Sequence, residues 1–301
     1  MTSRPGSPND PEPEDDPGAE EAVLDAALVG GVLPASDAAA GAAAARAAVK
    51  KIDDEGPDAP EAKAGVARNT VLFSVATGLS RIAGLAREIL AASYFGTSGA
   101  ASAFTIAFQL PNLVRGLFAD AALSAAFVPV FAEFLEQKRR REAILLASTL
   151  FWIILLVLGA LSAIFIFAAG VLIPLFIPGD NFTPQLVDLA VGLSQVLFPI
   201  VVLLGINGLL VGIVNSYHHF TIPALAPLVW NVVIIGALIG LRPLFSAEDQ
   251  IYAYAIGVLL GTVVQLLMVI PVLAKIDFRL KFHFNWRDPG VTRVLKLMIP
   301  V

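Results

Sequence analysis

Six long apolar stretches constrain this chain of 301 residues more strongly than any other feature of its sequence. A helix needs about 20 mostly apolar residues to cross the hydrocarbon core of a bilayer, and each stretch is long enough to do so. The backbone must satisfy its own hydrogen bonds there, and the alternation typical of a barrel strand is missing, so we predict helices. The predicted spans are residues 70–93, 102–130, 144–173, 186–212, 222–242 and 251–273.

Composition also favours an all-α polytopic membrane protein. The chain is 57% hydrophobic and only 15% charged, whereas about a quarter of the residues in a soluble domain are charged. Cysteine is absent and there are only three histidines, which excludes thiolate chemistry and leaves little room for a histidine-based metal centre. We therefore predict no metal site and no cofactor, and the sequence offers no catalytic residues.

The chain divides into three predicted parts. Residues 1–65 contain 14 acidic and 5 basic residues and much Pro and Ala, and we predict that they form a disordered cytoplasmic extension. Residues 66–290 hold the six spans and form a predicted amino-terminal transmembrane lobe. Residues 291–301 are predicted to be the truncated start of a seventh helix.

Basic residues in the connecting segments predict the orientation of the chain. The loop after the second span contains the run Lys138 to Arg141, whereas the loops after the first and third spans contain no Lys or Arg. Cytoplasmic loops carry an excess of Lys and Arg, so we predict a cytoplasmic amino terminus. Six further basic residues follow the sixth span: Lys275, Arg279, Lys281, Arg287, Arg293 and Lys296.

Charged residues inside the first predicted span indicate a functional site. Residues 80–88 read S-R-I-A-G-L-A-R-E, and one Arg at the centre of a membrane helix costs about 2.5–3.5 kcal/mol on insertion scales. Arg81, Arg87 and Glu88 should therefore face protein or water. Arg81 and Glu88 are seven residues apart and lie on nearly the same face of a helix, whereas Arg87 points elsewhere.

The second predicted span adds Asn112 and Arg115, which are one turn apart, and Asp120. The two spans together hold a surplus of positive charge. Because a guanidinium pairs bidentately with phosphate oxygens, we expect an anionic substrate with a phosphate or pyrophosphate group. The predicted substrate-binding residues are Arg81, Arg87, Asn112 and Arg115, and the predicted gating or ion-pairing residues are Ser80, Glu88 and Asp120.

A purely structural interpretation of these charges stays open. Arg81 with Glu88, and Arg115 with Asp120, could form internal ion pairs that only orient helices. Residues near the ends of a span could also extend their charged groups to the lipid headgroups.

Several motifs resemble the opening of the MurJ/MviN flippases, which belong to the multidrug/oligosaccharidyl-lipid/polysaccharide exporter superfamily. The resemblance covers about residues 68–301. The motifs are S-R-I-A-G-L-A-R-E at 80–88, F-G-T-S-G-A-A-S-A-F at 95–104, Q-L-P-N-L-V-R-G-L-F-A-D-A-A-L-S-A-A-F-V-P at 109–129 and N-S-Y-H-H-F-T-I-P-A-L-A-P at 215–227.

The resemblance implies a fold of about fourteen helices in two lobes around a cationic cavity, of which this chain would contain one lobe. It implies transport of lipid II, the undecaprenyl-pyrophosphate-linked peptidoglycan precursor, across the bacterial inner membrane by alternating access. The family's cavity residues fall here on Arg81, Arg87, Glu88, Asn112, Arg115 and Asp120.

The implied protein is a transporter rather than an enzyme. Its expected partners are lipid II or a similar polyprenyl-pyrophosphate glycan, membrane lipids and proteins of cell-wall synthesis, and no nucleic acid. Three alternatives remain open from the residues: export of another polyprenyl-linked glycan or a small cation, a scaffold without transport, and a membrane phosphatase or glycosyltransferase. The last needs clustered acid–base or metal-binding carboxylates, which the sequence does not offer.

Overall fold

A computed structural model of the chain describes residues 60–118, 121–177, 182–217 and 219–298. Within these ranges the chain is helical and contains no strand. The α-helices are α1 (Pro60–Phe95), α2 (Gly99–Phe118), α3 (Ala121–Glu136), α4 (Arg140–Leu175), α5 (Pro184–Leu197), α6 (Pro199–Ser216), α7 (Thr221–Leu241), α8 (Tyr252–Lys275) and α9 (Pro289–Met298), and a short 3-10 helix (Arg242–Leu244) follows α7.

The first helix is longer than the first predicted span. It begins at Pro60, a favourable first position because proline lacks the N–H that would have no partner there. Residues 60–65, which we assigned to the extension, are therefore helical. The rest of the predicted extension lies outside the described residues.

Two predicted spans correspond to pairs of helices. The second span falls on α2 and α3, which lie on either side of residues 119–120, outside the described residues. The fourth span divides into α5 and α6 at Pro199, which has no N–H to donate. Phe198 keeps helical dihedral angles and donates its N–H to the Ser194 carbonyl at 2.9 Å, so α5 and α6 form one interrupted rod.

Four helical segments of the described chain are long and apolar enough to cross a membrane by length and composition. They are α4, α5 with α6, α7 with the 3-10 helix, and α8. The number of spans in the chain stays a prediction.

Small residues bring α7 and α8 into close contact. Gly257 and Gly261 form a G-x-x-x-G pattern on α8. A Cβ atom on Gly257 would lie 2.9 Å from the Ala237 Cβ, and one on Gly261 would lie 2.9 Å from the Trp230 Cδ1. Membrane helices associate largely through such close packing, because lipid provides no hydrophobic driving force between them.

An apolar core forms where α3, α6 and α8 end and α4 begins. Its centre is aromatic, with ring centroids of Phe127 and Phe131 5.0 Å apart and those of Phe131 and Tyr217 6.3 Å apart. The amphipathic helix α9 covers the core with Val291 and Val294. Fully buried core side chains include Phe127, Phe131, Leu150, Leu209 and Ile213.

The residues predicted to start a seventh helix lie largely in α9. This helix has ten residues, and Val291 and Val294 are buried on one side. On the other side Arg293 is exposed and its Nη1 donates to the Glu133 Oε2 at 2.6 Å. The helix therefore combines an apolar contact with the core and a charged outer face.

Candidate functional site

One face of α1 packs against α7. Buried residues recur at intervals of three and four along it, as expected for one helix face. Four of the five are small, which lets the helices approach closely. The buried residues are Ala76, Ser80, Gly84, Arg87 and Ala91.

Arg87 is the one charged residue on this buried face, and its side chain is only 2% exposed. The guanidinium lies over the Trp230 ring, with the Cζ atom 5.1 Å from the ring centroid, in a cation–π contact. Its Nη2 donates to the Glu88 carboxylate. The Nε and Nη1 atoms have no hydrogen-bond partner among the described residues, so the buried cation is only partly compensated.

Helix α8 positions the groups around Arg87. The Trp230 indole donates to the Thr262 Oγ1 at 3.2 Å, which fixes the ring under the guanidinium. Tyr254 lies near both Arg87 and Glu88. Its ring also stacks on Phe104 of α2 with centroids 4.3 Å apart, so α8 connects the ion pair of α1 to α2.

Ser80 lies two helical turns before Arg87 on the same face of α1, and it is buried, with 5% exposure. Its backbone carbonyl accepts a hydrogen bond from the Asn231 Nδ2 at 3.3 Å, and the same amide donates to the Pro227 carbonyl at 3.0 Å. Asn231 is fully buried, and its Oδ1 has no partner in the described part of the chain. Ser80 is therefore part of the contact between α1 and α7.

Arg81 lies on the opposite, uncovered side of α1. It is exposed and forms no ion pair with another described residue. Its neighbours on this side are apolar and exposed, including Ile82 at 66% and Leu85 at 62%. The Glu88 side chain is 40% exposed at the edge of this side. Glu88 pairs with Arg87 rather than with Arg81, so the two charges lie on the same side of α1 without forming an ion pair with each other.

Helix α2 carries an uncovered polar stripe that we define as Ser102, Thr105, Gln109 and Asn112. The first three are exposed and Asn112 is partly buried. The Thr105 hydroxyl donates to the Ala101 carbonyl at 3.0 Å, a bond within the helix that limits the cost of an apolar environment. Polar residues inside a membrane helix normally face a cavity or the protein interior rather than lipid.

Of the polar stripe, only Asn112 was among the predicted site residues. The spacing 102, 105, 109 and 112 places four polar side chains on one helix face, so periodicity also points to the other three. These three carry no charge, and a search for charges within apolar spans does not find them.

The structure brings Arg87 and Glu88 together, places Ser80 on the same packed face of α1 as Arg87, and leaves Arg81 on the exposed side of α1 and Asn112 on α2. Helix α1 packs mainly against α7, whereas α2 packs mainly against α5. Arg115 lies in α2, but its side chain is outside what the structure describes, as is the whole of Asp120. Among the described residues, no three His, Cys, Asp or Glu side chains form a group that could hold a metal ion.

Comparisons with known proteins give a consistent result. A family model described as "Lipid II flippase MurJ" matches residues 91–301. The chain is 37% identical over 228 residues to the lipid II flippase MurJ of Burkholderia cenocepacia, covering 74% of this chain and 44% of that protein. It is 35% identical over 236 residues to the probable lipid II flippase MurJ of Buchnera aphidicola subsp. Acyrthosiphon pisum, covering 76% of this chain and 45% of that protein.

A solved structure is also similar. It is described as lipid II flippase MurJ in an inward closed conformation, and the two superpose with a TM-score of 0.61 at 28% identity. The match covers 76% of this chain and 47% of the solved chain. The chain thus spans about half the length of the relatives that it matches.

Proposed function

Because this chain belongs to the MurJ family of lipid II flippases, we propose that it supplies the amino-terminal lobe of a transporter that moves lipid II from the inner to the outer leaflet. Transport, rather than catalysis, is the proposed activity. Residues 66–290 form the proposed lobe, residues 1–65 a cytoplasmic extension whose last six residues begin α1, and residues 291–301 the start of a seventh helix.

The observation that carries the proposal is the exposure of Arg81 on α1, a helix that we predict to span the membrane. A guanidinium in contact with hydrocarbon is costly, so this side of α1 would face a water-filled cavity or a second lobe. Arg81 lies among apolar neighbours, an arrangement that suits a substrate with a charged head and a prenyl tail. The polar stripe of α2 supports a hydrated cavity that continues beyond α1.

The proposed substrate contacts are divided between the two helices. Arg81 and Arg115 would bind the pyrophosphate, because planar guanidinium groups pair bidentately with phosphate oxygens. Asn112 would bind beside Arg115, and Ser102, Thr105 and Gln109 would provide hydrogen bonds to the sugar part.

Arg87 has a different proposed role. Its Nη2 holds Glu88, while Nε and Nη1 have no partner among the described residues. A movement of α1 against α7 would expose these two donors to the pyrophosphate. Glu88 and Asp120 would then act as gating ion-pair partners, and Ser80 would keep α1 in register with Asn231.

The proposed location is the bacterial inner membrane, with the amino terminus in the cytoplasm. Two basic segments support this orientation. Residues 138–141 run from the turn after α3 into the first turn of α4, and residues 275–296 run from the last residue of α8 into α9. Both segments adjoin the apolar core at one end of the helices. Positively charged segments of this kind favour the cytoplasmic side.

The proposal is tested in a complete transporter. Residues 1–301 would replace the corresponding amino-terminal part of the Burkholderia cenocepacia relative, in a host depleted of its own flippase. Outer-leaflet lipid II would be measured for the parent and for Arg81→Ala, Arg81→Lys and Arg141→Ala at equal expression. Arg141 is an exposed basic residue in the first turn of α4 and serves as the charge-matched control.

We expect the parent and Arg141→Ala to restore outer-leaflet lipid II, Arg81→Ala to fail, and Arg81→Lys to restore it in part. Lysine keeps the charge but loses the bidentate geometry, which explains the intermediate result. A well-expressed parent that never restores lipid II would contradict the proposed substrate. Full rescue by Arg81→Ala would show that the exposed guanidinium does not contact the substrate.

A further inference from the structure

A second site lies at the end of the helices where the basic segments are found. We propose that a groove between α4, α6 and α8 binds one anionic glycerophospholipid, with an acyl chain in the groove and the phosphate beside Arg279. This lipid site is separate from the proposed cavity on α1 and α2 and does not depend on the transported substrate.

The groove has the size and lining of a lipid-chain site. Its volume is about 490 Å³, within the ~300–1,000 Å³ range that is usual for small-molecule sites. Helix α4 contributes Phe151, α6 contributes Ile206 and Leu210, and α8 contributes Ile270. Ile206 and Leu210 are buried at the base, whereas Ile270 is 49% exposed at the side. The groove is therefore apolar within and open to the surroundings.

The mouth of the groove is formed by the segment that follows α8. Phe278 is buried, with 6% exposure, and its N–H donates to the Leu273 carbonyl at 2.9 Å, which turns the chain sharply over the groove. Arg279 lies next to it in the lining. The Arg279 side chain is 87% exposed and has a long 3.5 Å contact with Asp277, so most of its donors remain available.

The rim is held in place by hydrogen bonds to α4. The Lys281 N–H donates to the Ser148 Oγ at 3.0 Å, and the Trp152 indole donates to the Lys281 carbonyl at 3.2 Å. Arg140 donates to the Ile276 carbonyl at 2.6 Å. These bonds fix the backbone on both sides of Arg279, so the mouth of the groove is organised before any lipid binds.

Charge complementarity selects an anionic lipid as the occupant. The segment 275–287 contains Lys275, Arg279, Lys281 and Arg287 against the single acid Asp277. Basic residues next to a membrane helix attract anionic headgroups. An acyl chain matches the apolar lining, and a phosphate matches Arg279. A zwitterionic lipid would fill the groove equally well but would gain less from the basic segment.

The test measures lipid retained by the full chain. The protein would be purified from nanodiscs containing equal amounts of phosphatidylglycerol and phosphatidylcholine, and bound lipids would be counted by native mass spectrometry. Ile270→Trp fills the groove and Arg279→Gln removes the charge at its mouth. Leu267→Trp and Arg141→Gln are the matched controls, since both residues are exposed on helices that form the groove and neither lines it.

We expect one phosphatidylglycerol per chain, preferred roughly tenfold over phosphatidylcholine, as for one charge-assisted hydrogen bond. Ile270→Trp should abolish this retention and Arg279→Gln should remove the preference, while both controls keep it. Equal retention of the two lipids by the parent would overturn the proposal, as would equal losses in the controls. Displacement by an equimolar polyprenyl pyrophosphate would overturn it too, because the occupant would then be the transported substrate.

Discussion

The interior of this protein has two contrasting regions. Where α1, α7 and α8 meet, a buried guanidinium and a buried amide each keep polar atoms without partners among the described residues. Where α3, α4, α6, α8 and α9 meet, a large apolar cluster forms and its rings interlock. This region also buries polar atoms without partners among the described residues, at Asn207, Asn215 and Tyr217, but they are uncharged. The buried cation therefore costs more stability than these neutral groups, and the apolar cluster supplies stability.

The contrast indicates that the region around Arg87 serves function, whereas the apolar core serves stability. A partly compensated buried charge adds little to stability, because the cost of burying it is only partly offset by its partner. We therefore expect Arg87 to serve another state or a ligand, and the apolar core to serve stability. Substitutions in the apolar core should therefore lower the free energy of unfolding, whereas substitution of Arg87 should reduce transport with little change in stability.

The largest expected loss of stability follows Phe131→Ala in the apolar core. Phe131 is fully buried and contacts Phe127 and Tyr217. We expect the free energy of unfolding to fall towards the lower end of the ~3–5 kcal/mol typical of Phe→Ala, because lipid rather than water is the reference solvent. Detergent-titrated unfolding measures this change. A loss below that of an exposed Phe282→Ala control would show that the core is not the main source of stability.

A smaller loss is expected for Gly261→Ala between α7 and α8. The new Cβ would lie 2.9 Å from the Trp230 Cδ1, and overpacking of this kind costs about 1–3 kcal/mol. Because Trp230 carries the Arg87 guanidinium, indole fluorescence should change as well. Gly236→Ala is the control, since nothing lies within 4 Å of its added Cβ. Equal effects in both variants would contradict the close approach at Gly261.

Arg87→Met should separate stability from transport most directly. Methionine keeps the contact with Trp230 and removes a partly compensated charge, and Glu88 is 40% exposed, so water can solvate it when its partner is lost. We therefore expect the free energy of unfolding to change by less than about 1.5 kcal/mol. Transport in the chimeric protein should nevertheless be lost. The paired measurement is unfolding together with outer-leaflet lipid II. A stability loss as large as that of Phe131→Ala would make Arg87 a structural residue.

The smallest effect is expected for Arg293→Gln on α9. The Arg293 and Glu133 side chains are 58% and 44% exposed, and exposed ion pairs contribute about 0–1 kcal/mol. The loss should shrink further at high salt, because exposed charges are screened. Unfolding at two ionic strengths measures both. A loss that persists unchanged in high salt would point to packing of the Arg293 stem rather than to its charge.

Much of the fold could be predicted from the sequence, and the all-α polytopic class and the family resemblance are confirmed. Apolar runs report membrane helices because hydrocarbon excludes open backbone. Interruptions inside a run are harder to place. Pro199 divides the fourth span, yet Phe198 stays helical, and proline alone does not distinguish a kink from a helix end.

The candidate site was predicted in part, and its residue roles stay predictions. Charges within an apolar run pointed to Arg81, Arg87 and Glu88. The sequence did not reveal that Trp230 would lie beneath Arg87, because a contact between residues so far apart depends on helix packing. The small residues Ser80, Gly84 and Ala91 did contain a signal, since their spacing with Arg87 marks the packed face.

The late position of α7 in the chain has a consequence for how the protein is made. The Asn231 amide that holds α1 is 151 residues downstream of the Ser80 carbonyl that it binds. At about 5–20 residues per second, the ribosome needs roughly 8–30 s to supply it. During this interval a nascent α1 carries Arg81, Arg87 and Glu88 without its native neighbour. We expect α1 to remain at the insertion machinery until α7 has been synthesised, and to enter the bilayer only then.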